Sequence, residues 1–268
     1  MVFQTNTPLC EEVNRIRLSL LHFGYATVGE EWRGRCACPA FSRLYYVTEG
    51  EAEIKAQNGT LTHLTRGSWV LLPADFSFDY LCRQSMGHIY FHLKLSDLDD
   101  RDMLSRFTSP IILARESEDL PFFFDCLQGG NLSSGLLLRH KLQEILLTAA
   151  KKENVTFESR CFSPCVVHAI KYIRRNLSAK LTLDQIAGHS FVSKSTLTKH
   201  FRRELSKSVL EYVSDLLLFE ASLCLLKTDL SVLAVSEKYG FSDQFYFSRR
   251  FKEKFGTSPQ KYRKTAFI

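Results

Sequence analysis

Side chains suited to contacts with nucleic acid recur every few residues near the carboxyl end of the chain. Gln244 and Arg249 carry planar groups that can form paired hydrogen bonds with one base, glutamine with adenine and arginine with guanine. Phe245 offers an apolar contact for the methyl group of thymine, and Ser248 is a small hydrogen-bonding group. These four residues are therefore candidates for reading base edges.

A second set of such residues lies about 50 positions earlier, which suggests a duplicated structural unit. Its candidates for base edges are Ser195, Thr196, Thr198 and Lys199. Basic residues that suit phosphates, and so set register without reading sequence, are Arg202, Arg203, Arg250 and Lys252. Because Lys199 is the one strong donor near the start of the first set, we expect the second set to discriminate more between sequences.

Both sets must be positioned by helices, because apolar residues recur among them at a spacing of four. The apolar positions are Leu197, Phe201 and Leu205 in the first set and Phe247, Phe251 and Phe255 in the second. Ser193 is suited to cap the first helix, and either Ser242 or Asp243 the second. Each helix is therefore expected to bury one side and to present a basic, polar side to an anion.

A shorter amphipathic segment precedes each of these helices. The first contains Leu183, Ile186 and Ala187, and the second contains Val232, Val235 and Ser236. Two helices joined by a short turn, with the second basic on its free side, are typical of a helix-turn-helix motif. An ordinary helical bundle with solvated basic faces is the alternative, and the repetition of the pattern argues against it.

The charge distribution agrees with a polyanionic partner. Residues 161–268 hold 18 lysines and arginines against 9 acidic residues, whereas residues 1–160 hold 17 against 20. Lysine and arginine side chains that neutralise phosphates release condensed counterions and so drive association with DNA. A membrane surface would also attract the charge, but these helices lack a broad free apolar face.

The run GFSDQFYFSRRFKEKFGTSPQKYR, residues 240–263, resembles the signature of AraC/XylS-type transcription regulators, and the resemblance covers roughly residues 163–264. It implies two recognition helices in successive major grooves of double-stranded DNA, and RNA polymerase as a partner. The connecting stretch of about 20 residues would span ~30 Å as a helix, close to the ~34 Å repeat of B-DNA. Ser206 and Leu217 depart from the family pattern, where a glycine and an arginine are usual, and we expect Ser206 to shift a helix boundary.

The amino-terminal half shows a different pattern, of short apolar runs separated by turn residues. The runs are residues 17–28, 43–56, 59–73 and 87–95, with predicted turns at Glu49-Gly50, Asn58-Gly59 and Arg66-Gly67. They predict an antiparallel barrel or sandwich. The order of elements is similar to the cupin-type sensor domain of many AraC-type regulators, and the matching residues are Gly24, Trp32, Leu44 to Val47, Gly50, Gly67, Leu71 to Pro73 and His92.

The cupin resemblance implies a small effector, such as a sugar or another metabolite, inside the barrel. Cupins also include metal-dependent enzymes, so such an enzyme with an appended nucleic-acid-binding module is one alternative. An effector-independent regulator that uses the barrel only as a scaffold is another. The positions that carry metal ligands in cupins lack histidine here, and His88 and His92 on one strand would lie about 13 Å apart. We therefore expect no catalytic residues, no metal and no cofactor.

The fold class expected for the whole chain is α+β. It comprises an N-terminal antiparallel, cupin-like β-barrel with following helices, and then an all-α domain of two helix-turn-helix units joined by a long helix. The expected domains are residues 1–110 for the sensor barrel, 111–158 for a helical segment and 159–268 for DNA binding. In the middle segment, Leu136, Leu137, Leu146 and Leu147 widen an apolar stripe. This stripe is expected either to pack on the barrel of its own chain or to form a homodimer contact.

Composition gives a cytoplasmic expectation. The 268 residues include eight cysteines, and close pairs occur at Cys36 and Cys38 and at Cys161 and Cys165. A zinc site needs four ligands in compatible positions, and a second cluster at the usual spacing does not follow either pair. With no secretory signal and no apolar run of ~18 residues, free thiols in a reducing cytosol and no membrane span are expected.

Overall fold

A computed structural model describes residues 10, 13–14, 16–37, 41–97, 102–114, 119–157 and 162–265. The chain divides between residues 159 and 160 into an amino-terminal unit and a carboxy-terminal unit. Among the described residues, the amino-terminal unit combines a sheet with helices, and the carboxy-terminal unit is helical. The α+β fold class is confirmed.

The described part of the amino-terminal unit contains eight antiparallel strands. They are β1 Arg17–Val28, β2 Arg33–Ala37, β3 Ser42–Ala56, β4 Leu61–Thr65, β5 Ser68–Leu72, β6 Phe78–Leu81, β7 Met86–Ser96 and β8 Ile111–Ala114. The main pairing order is β1-β7-β3-β5-β8, while β4 and β6 pair with the far half of β3 and β2 pairs with β6. All four runs predicted to form strands do so, whereas β2, β6 and β8 lie outside those runs.

The antiparallel sheet was predicted correctly, but its closure into a barrel was not. In the described part of the chain, β1 and β8 end the pairing order and do not pair with each other. The turn predicted at Glu49-Gly50 is also wrong, because β3 continues through it. Gly50 has φ 64° and β3 shifts register between Val47 and Glu49, so this strand bends and changes partners instead of reversing.

One face of the sheet packs against two helices, α1 Leu120–Gln128 and α2 Leu132–Lys152. The side of α2 that contains Leu138, Leu142 and Ala149 is buried in this core, as its spacing predicts. Asn131 caps α2, because the Asn131 side chain accepts a hydrogen bond from the backbone N–H of Ser134. A short 3-10 helix, Met103–Arg106, precedes β8.

The carboxy-terminal unit contains seven described helices. They are α3 Pro164–Arg175, α4 Leu183–His189, α5 Lys194–Leu205, α6 Val209–Lys227, α7 Val232–Lys238, α8 Gln244–Phe255 and α9 Pro259–Thr265. We call α4 and α5 the first helix pair and α7 and α8 the second helix pair. The predicted duplication is confirmed, since α4 and α7 have seven residues each and α5 and α8 have twelve.

The two departures from the family pattern have separate structural accounts. Ser206 ends α5 with φ 56° and ψ 21°, the left-handed conformation that Gly256 adopts at the end of α8. The expected shift of the helix boundary is therefore wrong, and serine instead takes a conformation that favours glycine. Leu217 is buried in the core between α6 and the first helix pair, so an apolar side chain suits its position.

Replacing Ser206 by glycine should raise the free energy of unfolding of the carboxy-terminal unit by about 1 kcal/mol, because glycine adopts the left-handed conformation without a Cβ clash. The reverse change at the matched position, Gly256→Ser, should lower that free energy by a similar amount. Urea denaturation followed by the helical circular dichroism signal measures both variants. Effects of the same sign would show that the terminal conformation does not decide their stability.

Candidate nucleic-acid interface

The base-edge candidates lie on the free sides of α5 and α8. On α5, Ser195, Thr196 and Lys199 are exposed and Thr198 is half-buried. On α8, Phe245 and Arg249 are exposed, and Gln244 and Ser248 are half-buried. The opposite sides of both helices are buried, with Leu197, Phe201, Phe247, Phe251 and Phe255 in the cores. Local helical periodicity thus presents the predicted polar residues to solvent.

The hydroxyl groups at the start of α5 form hydrogen bonds with one another and cap the helix. The Ser193 hydroxyl accepts a hydrogen bond from the Thr196 backbone N–H at 3.2 Å. It also lies 2.9 Å from the Ser195 hydroxyl and 2.8 Å from the Thr196 hydroxyl. Two of the four base-edge candidates on α5 are therefore engaged within the protein.

The start of α8 is built differently. Asp243 is the cap, and its carboxylate accepts a hydrogen bond from the Tyr246 backbone N–H at 2.7 Å. The guanidinium carbon of Arg249 lies 5.5 Å from the centroid of the Tyr246 ring. Tyr246 was absent from the sequence-based candidates because it falls between them, and the (i, i+3) spacing from Tyr246 to Arg249 was the signal available.

Of the four basic residues that were predicted to contact phosphates, two already have partners inside the protein. Arg203 donates to the carboxylate of Glu204 at 2.7 Å. Arg250 donates to the Ser214 hydroxyl of α6 at 3.1 Å and to Glu253 at 3.0 Å. Arg202 and Lys252 are exposed on the same helices. The structure thus gives Arg250 a bracing contact between α8 and α6 that its sequence position did not indicate.

Glu204 fastens α5 to the start of α3. Its carboxylate accepts hydrogen bonds from the Ser163 backbone N–H at 2.9 Å and from the Ser163 hydroxyl at 3.1 Å, and it lies 3.0 Å from His200 Nδ1. Burial alone would raise the pKa of Glu204, but hydrogen bonds from Ser163, His200 and Arg203 together lower it to about 2. The charged carboxylate therefore holds α5 against the start of α3.

Asp215 of the connecting helix α6 holds helix α8 in place. Its carboxylate lies 2.5 Å from Lys207 Nζ and 3.0 Å from Lys254 Nζ. Asp215 thus links the turn between α5 and α6 to α8. Burial would raise the pKa of Asp215, but the two lysines hold it below its ordinary value. The 19-residue helix α6 is about 28 Å long at ~1.5 Å per residue, close to one repeat of B-DNA.

A second candidate site lies on the face of the sheet opposite to helices α1 and α2, which we call the inner face. Aromatic and basic side chains of three strands meet there. His92 on β7 is opposite both His22 on β1 and Arg43 on β3. The ring of Tyr90 lies 5.3 Å from that of His92 and 5.5 Å from that of His22. The register of β1 against β7 makes His22 and His92 neighbours, and their spacing along the chain does not indicate this.

His88 and His92 of this inner face are neutral at physiological pH. His88 and His92 are buried, and burial lowers the pKa of His88 to about 4, with the charge of Arg43 acting in the same direction. Burial lowers the pKa of His92 well below its ordinary value, again helped by Arg43. In the described chain His92 Nδ1 has no hydrogen-bond partner, so a polar ligand group would satisfy a buried atom.

A metal is not indicated at either site. Within the described ranges, three histidine, cysteine or acidic side chains do not converge on any possible metal position. Cys38 and Cys161, and the side chain of Cys36, lie outside the described residues. Cys165, the described member of these pairs, has a free thiol.

Comparison with known proteins supports a regulatory role. A family model described as a helix-turn-helix domain matches residues 186–265. The HTH-type transcriptional activator AarP of Providencia stuartii is 35% identical over 112 residues, 42% of this chain and 80% of that protein. The lactose operon transcription activator of Staphylococcus xylosus is 25% identical over 233 residues, 83% of each chain. The chain belongs to the AraC/XylS family of transcription regulators.

The AraC/XylS architecture extends over both units. The structure of ToxT from Vibrio cholerae bound to an unsaturated fatty acid is similar, with a TM-score of 0.61, 12% identity, and coverage of 98% of this chain and 97% of that chain. This likeness shows a shared fold, in which an antiparallel sheet precedes the helix-turn-helix domain. Among the described residues, no helix has both the length and the apolarity needed to cross a bilayer.

Proposed function

We propose that this AraC/XylS-type regulator reads a specific sequence of double-stranded DNA with the exposed sides of α5 and α8. The observation that carries this proposal is that both helices bury one side in a core and present Lys199 and Arg249 to solvent. The base-edge candidates on α8 would contact bases, the exposed side of α5 would add further contacts with the duplex, and Arg202 and Lys252 would contact phosphates. Arg203 and Arg250 would chiefly position their helices, because both already bind partners within the protein.

The Arg249→Ala variant tests the base contact. We expect it to weaken binding to the preferred duplex by about 1–3 kcal/mol and to relax the preference at one base pair, because a bidentate contact with guanine would be lost. Duplexes selected from a randomised pool, followed by affinity measurements on single-base variants, would provide the data. Equal losses on the preferred and on random duplexes would reject the assignment of Arg249 to a base.

We also propose that a small effector binds the inner face of the sheet. The support is the buried, unpartnered His92 Nδ1 beside Arg43, His22 and Tyr90, which together offer hydrogen-bond donors and aromatic surfaces. The names of similar regulators point to sugars, since they control lactose, arabinose and xylose operons. Fatty-acid binding by ToxT makes a lipid the competing ligand class.

Titration with lactose, arabinose, xylose and an unsaturated fatty acid tests this proposal. Trp32 is a natural reporter, because its ring lies 6.3 Å from that of His88 on this face, whereas Trp69 packs in the core on the other face. In a Trp69→Phe background we expect one ligand class to change the Trp32 fluorescence, and His92→Phe to weaken that response about tenfold, because a charge-free hydrogen bond would be lost. A response that survives His92→Phe unchanged would place the ligand elsewhere.

The remaining partners follow from the same family and surface features. Leu132, Leu136 and Leu147 are exposed along α2, and we propose that they form part of a homodimer contact, whereas Leu146 belongs to the core. RNA polymerase is proposed as a partner on the family resemblance. The relatives named above are transcription regulators, and we propose that this chain likewise regulates in the cytoplasm without catalysis.

A further inference from the structure

The side chain of Arg249 is held in a defined orientation by its own helix. Its guanidinium lies over the face of the Tyr246 ring, with 5.5 Å between the guanidinium carbon and the ring centroid. Tyr246 is supported in turn, because its ring lies 6.3 Å from that of Phe241 in the turn before α8. Arg249 and Tyr246 are both exposed, so the stacked pair lies on the surface that α8 presents to a ligand.

Asp243 adds an electrostatic constraint at the same place. Its carboxylate accepts the Tyr246 backbone N–H and caps the helix. This hydrogen bond lowers the pKa of Asp243, and the positive charge of Arg249 contributes in the same direction. The guanidinium of Arg249 is therefore attracted both by the ring of Tyr246 and by the negative charge of Asp243. Together these attractions favour one orientation of the planar group over the many orientations that are open to a free side chain.

The first helix pair lacks this arrangement at the matching positions. Helices α5 and α8 correspond with an offset of 50 residues, from Lys194 to Gln244 and from Leu205 to Phe255. Arg249 thus corresponds to Lys199, Tyr246 to Thr196 and Asp243 to Ser193. A lysine above a threonine and a neutral cap has neither an aromatic face nor a carboxylate to orient it.

We infer that Tyr246 and Asp243 are positioning residues for Arg249, and that they make the second helix pair the half of the domain that discriminates between sequences. The first helix pair then contributes mainly affinity that does not depend on sequence, through Lys199 and Arg202. This inference rests on the proposed function as a DNA-reading regulator. It goes further by naming residues that do not themselves pair with a base.

The physical basis is the entropy of the arginine side chain. A guanidinium already stacked in the binding orientation loses less rotamer freedom when it pairs with a base than a freely rotating one does. Its planar edge is also presented in one direction, so a base with the wrong pattern of acceptors is not accommodated by rotation. Lysine is a compact charge with freely rotating donors, and it suits phosphates better than one particular base edge.

Duplex selection with the full-length protein tests this inference. The wild-type chain and the Tyr246→Leu, Tyr246→Phe and Asp243→Asn variants would each be measured on the preferred duplex, on its single-base variants and on random duplex DNA. We expect Tyr246→Leu to lower discrimination about three- to fivefold at the base pair that Arg249→Ala identifies, because the cation–π contact is lost. Tyr246→Phe should restore most of it, Asp243→Asn should give a smaller loss, and binding of random DNA should change less than about twofold throughout.

A double variant and a matched pair complete the design. In the Arg249→Ala background, Tyr246→Leu should cause no further loss of discrimination, since the group that it positions is absent. Lys199→Ala should weaken binding to preferred and random duplexes by the same factor. The inference is overturned if Tyr246→Leu leaves discrimination unchanged, if it weakens all duplexes equally, if its effect adds to that of Arg249→Ala, or if Lys199→Ala removes the preference for one base.

Different results of the selection experiment would overturn the proposed function and this inference. A wild-type protein that enriches no common sequence from the pool would overturn both the proposed function and this inference. A wild-type protein that enriches a sequence, and whose Tyr246→Leu variant enriches the same sequence equally well, would overturn only the inference. Circular dichroism of each variant excludes unfolding as a cause, since Tyr246 is 41% exposed and outside the buried core.

Discussion

Replacing Phe251 by alanine should lower the free energy of unfolding of the carboxy-terminal unit by about 3–5 kcal/mol. The Phe251 ring is fully buried on α8, with ring centroids 4.4 Å from Phe255, 5.1 Å from Tyr262 and 5.6 Å from Phe247. Alanine would remove both the transfer free energy of the ring and its contacts with these neighbours. We expect DNA binding to fall with stability, because the side of α8 that faces DNA depends on this core.

Phe245→Ala is the matched control, since Phe245 lies on the same helix but is 85% exposed. It should change the free energy of unfolding by less than about 0.5 kcal/mol. The helical circular dichroism signal reports mainly on the carboxy-terminal unit, whereas both tryptophans, Trp32 and Trp69, belong to the amino-terminal unit. Phe251→Ala should therefore shift the circular dichroism transition and leave the tryptophan fluorescence transition in place. An equal shift of both signals would show that the two units unfold together.

Replacing Gly50 by alanine should lower the free energy of unfolding of the amino-terminal unit by about 2–5 kcal/mol, because it combines left-handed strain with a steric overlap. Gly50 has φ 64°, and a Cβ atom there would lie 2.0 Å from the backbone oxygen of Ser85. Ser85 immediately precedes β7, and its backbone cannot move aside as a flexible side chain can. The bend at which β3 changes partners would have to shift, and with it the inner face that holds Arg43 and His92.

Gly59→Ala separates the two contributions. Gly59 also has a positive φ, 86°, but a Cβ atom there would meet nothing within 4 Å. This control should cost only the left-handed strain, about 1 kcal/mol. Tryptophan fluorescence during urea denaturation measures both variants, and we expect the circular dichroism transition of the helical unit to stay in place. Equal losses for Gly50→Ala and Gly59→Ala would show that the overlap with Ser85 is relieved without cost.

Local order was predictable from the sequence wherever neighbours along the chain decide it. The spacing of Phe247, Phe251 and Phe255 identified α8 because residues four apart share one side of a helix. Ser193 and Asn58-Gly59 marked a helix start and a hairpin because capping and tight turns depend on a few adjacent residues. Glu49-Gly50 misled the same reasoning, since a glycine at a bend within a strand has the same local signature as one in a turn.

Contacts between elements were not predictable in this way. His22 and His92 are 70 positions apart, and only the register of β1 against β7 makes them neighbours. Arg250 had the same sequence signature as the exposed cations, but the packing of α8 against α6 supplies Ser214 as its partner. A periodic pattern gives the side of a helix on which a residue lies, and it does not give the partner that the side meets.

The sequence by itself determined that the last hundred or so residues form a duplicated, basic helix-turn-helix domain behind an antiparallel sheet, because hydrophobic periodicity, turn residues and charge are local properties of the chain. Only the tertiary structure decided which cations remain available and which orient their helices. It also decided that His92 lies beside His22 and Arg43 on the neighbouring strands. The physical reason is that the partners of a charged group depend on how helices and strands pack in three dimensions, and their spacing along the chain does not encode that packing.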